Sequence, residues 1–201
     1  MVLENKLHLT HQVDLSRAEE KISKQKAKQL FDSKEIDAIE VGTFAGLARI
    51  HKILFEDIYA FAGNIRDVNI AKGNFRFAPL MYLPQSLAHL DTMAHSTFDD
   101  IIEKYVEMNI AHPFREGNGR AMRIWLDVML KTNIQNVIDW NLVDKDAYLS
   151  AMERSVVKDV EIKHLLHAAL TDKIHDREIF MKGIDVSYYY EGYSEFKTGD
   201  L

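Results

Sequence analysis

The sequence of 201 residues contains no cysteine and has only three prolines and nine glycines. Without cysteine the chain has neither disulfides nor thiolate metal sites, which fits a reducing compartment. The few prolines and glycines, together with the lack of low-complexity segments and internal repeats, leave no visible linker or domain boundary. We therefore expect a single domain spanning residues 1–201.

Long apolar runs and an excess of positive charge are also missing. No apolar stretch is long enough to cross a bilayer, and the opening MVLENKLHLTHQ lacks the basic start and apolar stretch of a secretory signal. The formal net charge is -6, so no overall positive field attracts nucleic acid or an anionic membrane. These absences predict a cytoplasmic protein that binds neither nucleic acid nor membrane.

The sequence does contain helical periodicity over most of its length. Apolar residues recur at helical spacing after Thr43, in a pattern running towards Gly63, and again after Thr97; each threonine can cap a helix. A third stripe, beginning at Met122, is apolar on most sides, which predicts a central buried helix. Further helical patterns cover roughly residues 144–154, 158–170 and 176–191. The predicted fold class is all-α, a helical bundle around a central helix.

One segment departs from the helical pattern. In VNIAKGNFRFAP, residues 68–79, apolar and polar residues alternate on either side of Lys72-Gly73-Asn74, which predicts a small β-hairpin. A two-stranded hairpin is marginal on its own and has unpaired edges. It therefore either lies on the helices or receives a strand from an extended partner. Periodicity alone favours the first interpretation.

The loop HPFREGNGRAMR, beginning at His112, combines several kinds of chemistry. A helix starting just after Gly117-Asn118-Gly119 offers free amide hydrogens and a positive dipole end to an anion such as phosphate. Arg120 and Arg123 share a helix face and can hold successive phosphates. Glu116 is an oxygen ligand suited to magnesium, and His112 can accept a proton from a hydroxyl near neutral pH. The combination predicts transfer of a phosphate-containing group.

Each of these residues alone has an ordinary structural explanation. A lone histidine usually caps a helix, a lone glutamate is usually solvated, and Gly-Asn-Gly is most often a turn. The combination favours a function, because a turn does not need a base, a metal ligand, an anion site and two cations together. Phe114 is expected in the core, without a chemical role.

The loop resembles the motif of the Fic family, which is histidine, any residue, phenylalanine, any residue, an acidic residue, Gly-Asn-Gly-Arg, two residues and arginine. LARIHKILFEDIYAFAGNIR, residues 47–66, is similar to the family's approach to its flap, and KGNFRFA is similar to the flap. The resemblance implies a helical fold with a small hairpin flap. It also implies transfer of AMP from ATP to a Ser, Thr or Tyr hydroxyl of a target protein, with release of pyrophosphate.

The resemblance further implies a role for each loop residue. His112 would be the base, and Glu116 would bind Mg²⁺ or another divalent cation. The nucleotide would be held by Gly117, Asn118, Gly119, Arg120 and Arg123. The flap would align a segment of the target protein as an added strand through Lys72, Gly73, Asn74, Phe75, Arg76, Phe77 and Ala78.

The tail contains SYYYEG, in which Ser187, Tyr188 and Glu191 share one helix face with Ile184. On its own this pattern indicates a helix end with a solvated glutamate and packed tyrosines. This order of residues resembles the inhibitory motif of class III of the Fic family, the class with a C-terminal control helix. It implies that residues 176–192 form an inhibitory helix whose motif residues are Ser187, Glu191 and Gly192.

In this resemblance Glu191 would pair with Arg123, so that ATP is presented badly for attack and AMP transfer is inhibited. The same carboxylate could instead orient or deprotonate a water and remove AMP from a modified target. Tyr188 is the candidate for self-modification, because it shares the face of Glu191.

Three alternatives remain open at this point. A catalytically silent Fic-like module would bind nucleotide or protein without turnover, and phosphocholine transfer uses the same loop. A metal-dependent hydrolase of small phosphates would need more ligands than one carboxylate. The branch of the family that phosphorylates departs from Gly-Asn-Gly-Arg, whereas this chain keeps Gly119-Arg120. Residues 1–24 allow a helix, a contact to another subunit in a homo-oligomer, or a frayed end.

Overall fold

The computed structural model describes residues 2–73 and 75–201, so Asn74 of the predicted flap lies outside the described residues. The described part is mostly helical with two small antiparallel hairpins, which confirms the predicted fold class. The helices are α1 (Gln12–Asp32), α2 (Phe44–Phe55), α3 (Leu83–Thr92), α4 (Phe98–Ala111), α5 (Asn118–Ile134), α6 (Lys145–Ser155), α7 (Val160–His167) and α8 (Arg177–Tyr190). The strands are β1 (Ala71–Lys72), β2 (Phe75–Arg76), β3 (Val137–Ile138) and β4 (Leu170–Thr171).

Helix α5 is the buried centre of the fold, as its apolar circumference predicts. It packs against α2, α4 and α8, and its Trp125 is completely buried. The helix begins at Asn118, earlier than the predicted start just after Gly119. The reason is that Gly117 adopts a left-handed conformation with φ 76° and is itself the N-cap, so that Asn118 is already helical.

Both predicted threonine caps are present. The Thr43 side chain accepts a hydrogen bond from the Gly46 N–H at the start of α2. Thr97 and Asp100 form a reciprocal capping box at the start of α4. Helix α2 ends at Phe55, well before Gly63, and turns carry the chain from there towards the flap.

The N-terminal segment forms the long helix α1, one of the three outcomes that the sequence left open. It packs against α2 and α8 and contributes to the core through Leu15, Ala27 and Leu30. It also buries Glu19 and Lys24, which are 2% and 1% exposed. Helix α1 therefore brings charged side chains next to α5 and the C-terminal tail.

The flap strands are shorter than the alternating pattern predicts. In β1 and β2, Ala71 pairs with Arg76 and Lys72 pairs with Phe75, while Phe77 lies beyond the ladder. A second hairpin, β3 with β4, was not predicted; its two strands are two residues long and far apart in sequence. No helix among residues 2–73 and 75–201 is both long and apolar enough to span a membrane.

Candidate active site

The loop between α4 and α5 is fixed from inside by Asn118. Its Oδ1 accepts a hydrogen bond of 2.8 Å from the Phe114 N–H, and its Nδ2 donates one of 2.7 Å to the Phe114 carbonyl. The Phe114 ring is fully buried, as expected for a core residue. The Asn118 side chain is therefore engaged in closing the loop, and the main chain of residues 117–120 is what can face an anion. We call this main chain the cradle.

His51 of α2 holds the same loop from the other side, and the sequence analysis did not single it out. Its Nδ1 accepts from the Gly63 N–H at 2.9 Å, so Nε2 carries the hydrogen donated to the Glu116 carbonyl at 2.8 Å. The imidazole stacks on Phe114 with 3.9 Å between ring centroids. Burial lowers the pKa of His51 to about 4, so the ring is neutral at neutral pH. In the sequence, the one feature that could have pointed to His51 is its place in the LARIHKILF segment.

The carboxylate of Glu191 lies against the cradle. A Cβ atom added at Gly119 would overlap Oε1 of Glu191 and come within 3.0 Å of Nη1 of Arg123. Arg123 Nη2 donates to Oε1 of Glu191 at 2.8 Å. Burial raises the pKa of Glu191, but Arg123 and Arg120 outweigh it and bring the pKa to about 2. Glycine at position 119 thus lets a negative charge approach the backbone closely.

Ser187 of the tail accepts two further hydrogen bonds from Arg123. The Arg123 Nε donates to Oγ of Ser187 at 2.6 Å, and Nη2 donates to the Ser187 carbonyl at 2.9 Å. Helix α8 ends at Tyr190, and Gly192 follows with φ 92°. The structure thus brings Ser187 and Glu191 to Arg123, while Gly192 turns the chain away.

Arg120 lies in a different environment from Arg123. Its side chain is fully buried, and Nη1 donates to Oε1 of Glu19 at 2.5 Å. The guanidinium carbon is 4.9 Å from the Phe55 ring centroid and 4.8 Å from that of Tyr193. The sequence assigned Arg120 to the nucleotide phosphates, but its donors point into the protein. Arg120 contacts the loop through a hydrogen bond of 3.1 Å from its Nη2 to Oε1 of Glu116.

Glu19 is the second residue that sequence reasoning missed. Besides Arg120, it accepts hydrogen bonds from the hydroxyls of Tyr59 and Tyr193, the latter at 2.7 Å. Burial raises its pKa, but Arg120 and the two tyrosines hold the pKa below the usual value. A single glutamate in a charged helix carries no sequence signal of this kind. One carboxylate therefore connects α1 to the turn that follows α2, to Arg120 of α5 and to the tail.

Glu116 keeps a solvent-facing carboxylate. Its side chain is 41% exposed, and Oε1 accepts from the Gly117 N–H at 2.9 Å as well as from Arg120. Residues 2–73 and 75–201 contain no cluster of three or more His, Cys, Asp or Glu side chains that could hold a metal ion. A single accessible carboxylate next to a helix start that can accept an anion would suit a magnesium ion that takes its other ligands from phosphate and water.

His112 ends α4 in the left-handed conformation, with φ 48°. Its imidazole stacks on Phe77 of the flap with 3.6 Å between ring centroids and 16° between ring planes. The Nδ1 atom is buried and has no hydrogen-bond partner among the described residues. Burial lowers the pKa of His112 to about 4, against the opposing effects of the Asn109 main-chain carbonyl and the Glu191 carboxylate. The imidazole is therefore neutral at neutral pH and can accept a proton.

The flap covers this histidine with one side chain and exposes others. Phe77 is 9% exposed, whereas Lys72, Gly73 and Arg76 are exposed. The Ala78 N–H donates to the Ile110 carbonyl at 2.9 Å, which ties the flap to α4. Within the described residues β1 and β2 pair only with each other, so the hairpin retains edges on which another strand can add.

Tyr188 lies inside the protein. It is 1% exposed, and its hydroxyl is buried without a hydrogen-bond partner among residues 2–73 and 75–201. The neighbouring Tyr189 is 55% exposed. A reaction at the Tyr188 hydroxyl therefore requires α8 to move.

Residues 43–130 match the model of the Fic/DOC family. A probable protein adenylyltransferase of Sinorhizobium fredii is 28% identical over 171 residues, covering 79% of this chain and 85% of that protein. A probable protein adenylyltransferase of Salmonella typhimurium is 30% identical, over 57% of this chain and 62% of its own length. A protein adenylyltransferase of Bartonella schoenbuchensis is 34% identical over 147 residues, covering 66% of this chain but 30% of its own length.

Solved structures show the same fold at lower identity. A translocated effector protein of Bartonella tribocorum, solved with bound AMPPNP, superposes with a TM-score of 0.68 at 18% identity, over 85% of this chain and 93% of that chain. The N-terminal Fic domain of a Bartonella quintana effector, solved with bound ADP, gives a TM-score of 0.69 at 21% identity, over 85% and 91%.

Proposed function

We propose that the protein, whose residues 43–130 match the Fic/DOC family model, is a protein adenylyltransferase. It transfers AMP from ATP to a Ser, Thr or Tyr hydroxyl of a target protein. The curated relatives named as protein adenylyltransferases support this activity. The bound AMPPNP and ADP of the structural neighbours accord with a nucleotide substrate.

The observation that carries the proposal is the anion already held at the cradle. The Glu191 carboxylate lies against Gly119 and accepts a hydrogen bond of 2.8 Å from Arg123. A helix start that accommodates a partly buried carboxylate, 23% exposed, also suits a phosphate, which carries the same sign of charge. We infer that the nucleotide phosphates occupy this place when Glu191 leaves it.

In the reaction, a target hydroxyl loses its proton to His112 while its oxygen attacks the α-phosphorus of ATP. The bond from that phosphorus to the bridging oxygen breaks, and pyrophosphate leaves. Because Nδ1 of His112 is buried, Nε2 is the nitrogen that accepts the proton. The amides of Asn118 and Gly119 and the side chain of Arg123 hold the phosphates. The Gly117 amide, which donates to Glu116 at 2.9 Å, joins them once that bond is released. Arg120 acts by orienting Glu116. A magnesium ion on Glu116 would neutralise phosphate charge.

We propose that the arrangement in which Glu191 pairs with Arg123 is autoinhibited, as in the class with a C-terminal control helix. The Nε and Nη2 donors of Arg123 go to Ser187 and Glu191. With this arginine engaged, the terminal phosphate of ATP loses its clamp, and misplacement of the α-phosphate costs orders of magnitude in rate. Release of residues 176–192 would restore the clamp.

With Glu191 in place, the same site is proposed to catalyse a weaker reaction, the hydrolytic removal of AMP from a modified target. The carboxylate is ionised, because Arg123 and Arg120 outweigh burial and bring its pKa to about 2. It can therefore orient a water towards the phosphorus of an AMP-modified target. Hydrolysis would form AMP and return the free hydroxyl.

The remaining parts of the proposal concern the partners. The flap, Lys72 to Ala78, adds a segment of the target protein as a strand, which its unpaired edges allow. Once α8 moves away, Tyr188 becomes a substrate for self-modification. The protein is proposed to act in the cytoplasm.

The test compares wild type with Glu191→Gly, using labelled ATP and magnesium with a cell lysate, and identifies labelled bands. We expect labelled proteins with Glu191→Gly and roughly 10²-fold less with wild type, in line with the cost of misplacing a reacting group. The control is Glu191→Gly combined with His112→Ala, which should bind ATP but label nothing. Equal labelling by wild type and Glu191→Gly would refute inhibition by Glu191.

A second measurement follows removal of AMP from a purified labelled target. Wild type should release AMP faster than Glu191→Gly, because only wild type retains the carboxylate. Mass spectrometry should find AMP on Tyr188 in the Glu191→Gly protein and not in wild type. Nucleotide binding without any labelling in either protein would instead support the catalytically silent binding module.

A further inference from the structure

Arg66 is the last residue of the segment 47–66 and is not used by the proposed mechanism. It is 3% exposed, and its side-chain hydrogen bonds go only to main-chain carbonyls in the described part of the chain. The acceptors, with their distances, are His112 (2.8 Å), Val68 (2.6 Å), Ala78 (2.5 Å) and Ala111 (3.3 Å). Its own N–H donates to the Pro113 carbonyl at 2.8 Å.

These acceptors belong to two different structures. Val68 and Ala78 flank the two ends of the flap hairpin, whereas Ala111 and His112 lie where α4 ends and the loop begins. A guanidinium is a rigid planar fork, so the donors on one side chain fix the acceptors relative to each other. One buried side chain therefore sets the distance between the flap and the backbone of His112.

The imidazole itself depends on the same arrangement. Phe77 precedes Ala78, and its ring covers the ring of His112 with 3.6 Å between centroids. A flap that drifts from α4 carries Phe77 away and exposes the imidazole to water. The Ala78 N–H to Ile110 bond is a second tie between the flap and α4, but it does not reach His112.

We infer that Arg66 is a positioning residue that fixes the position of the target-docking flap relative to the backbone of His112. A hydroxyl aligned on the flap then arrives beside the base. This inference rests on the proposed function, because it assigns the flap to a target and His112 to proton transfer. None of the hydrogen bonds of Arg66 reaches the cradle or Arg123, so nucleotide binding should not depend on it.

The main test is Arg66→Lys in the Glu191→Gly protein. Lysine keeps the positive charge, but its compact ammonium cannot reproduce the planar set of contacts. We expect labelling of target proteins to fall roughly 10- to 100-fold, as for a misaligned reacting group. Affinity for ATP, measured by calorimetry, should stay within about twofold, because the cradle contacts are unchanged. A parallel loss of ATP affinity would overturn the inference, since it would indicate general damage to the site.

A second readout needs no catalysis. In wild type burial lowers the pKa of His112 to about 4, and NMR titration of its ring protons measures this value. The charged groups that act on the ring are Glu191, which raises the pKa, and Arg66 and Lys72, which lower it. Because lysine retains the charge of Arg66, a rise towards 6.5 in Arg66→Lys reports the loss of the Phe77 cover. An unchanged His112 pKa in a folded Arg66→Lys protein would refute the inference.

Two controls complete the design. Arg49→Lys alters an exposed arginine that also donates to a main-chain carbonyl, that of Ala38, and it should change neither readout. Phe77→Leu removes the aromatic cover without touching Arg66, and it should raise the His112 pKa. If Glu191→Gly labels no protein, the proposed function fails, yet the titration still decides whether Arg66 fixes the flap over His112.

Discussion

Glu191 lies against Gly119, because a Cβ atom added to Gly119 would stand only 2.4 Å from Oε1 of the Glu191 carboxylate. The tail therefore does not merely lie near the cradle. It places a charged oxygen on the backbone that the proposed mechanism reserves for phosphate.

Gly119→Ala should disrupt the Glu191 contact without activating the enzyme. The added Cβ displaces the carboxylate, whose flexible side chain can move, but the same Cβ then stands where phosphate must approach. We expect ATP affinity to fall roughly tenfold or more, in contrast to Glu191→Gly, because the backbone approach is blocked. Calorimetry with ATP and target labelling check this in the two proteins.

The matched control is Gly199→Ala, because a Cβ at Gly199 meets nothing within 4 Å. That variant should bind ATP like wild type. If Gly119→Ala labels targets as strongly as Glu191→Gly, phosphate does not bind against Gly119.

Glu19→Ala should destabilise the protein strongly. It leaves the fully buried Arg120 without its main counter-charge and removes the acceptor of Tyr59 and Tyr193. Breaking a buried ion pair by removing one partner typically costs about 3–5 kcal/mol of unfolding free energy. Urea denaturation followed by circular dichroism measures the loss.

An exposed arginine–carboxylate pair provides the comparison. Asp32 and Arg177 pair at 2.7 Å with side chains 39% and 48% exposed, so Asp32→Ala should have little effect. Similar denaturation midpoints for Glu19→Ala and Asp32→Ala would show that the buried cluster contributes no special stability.

His51 should make stability depend on pH between about 6.5 and 4. Burial lowers its folded pKa to about 4 from 6.5, so the unfolded chain binds this proton first as the pH falls. The stabilisation by neutral His51 is therefore present above pH 6.5 and is lost as the pH falls towards 4, by about 3 kcal/mol at most. Unfolding free energies measured at several pH values test the slope.

His51→Gln isolates this contribution. Other buried groups titrate in the same range, including Asp127, whose pKa burial raises to about 7, and they remain in both proteins. The difference between the two stability curves should shrink as the pH falls from 6.5 to 4. A constant difference across that range would mean that His51 does not stay neutral in the folded protein.

Glu116→Ala should weaken binding of a divalent cation in the presence of ATP. The carboxylate is 41% exposed and is the acidic side chain of the loop, so its removal leaves phosphate and water as ligands. Manganese binding by electron paramagnetic resonance, with ATP present, should weaken roughly tenfold or more. Glu107→Ala, at an exposed position of α4, should leave manganese binding unchanged. Equal manganese affinity of all three proteins would exclude Glu116 as a ligand.

Local sequence determined much of the architecture. Thr43 and Thr97 predict helix starts because a cap involves residues only three positions apart. The apolar circumference of α5 predicts its burial. The order of residues 112–123 likewise places a histidine, a carboxylate and the cradle in one short loop. The flap was predicted from alternation, although its strands are shorter than expected.

Only the tertiary structure decided which groups control that loop. The partners of Arg120, Glu116 and His112 are Glu19, His51 and Arg66, which lie 101, 65 and 46 positions away in sequence. The β3 and β4 pairing is equally remote. Periodicity and capping act between neighbours along the chain, whereas these contacts form only when separate helices pack together. For that reason one sequence could indicate the chemistry of the loop but not the side chains that hold it in place.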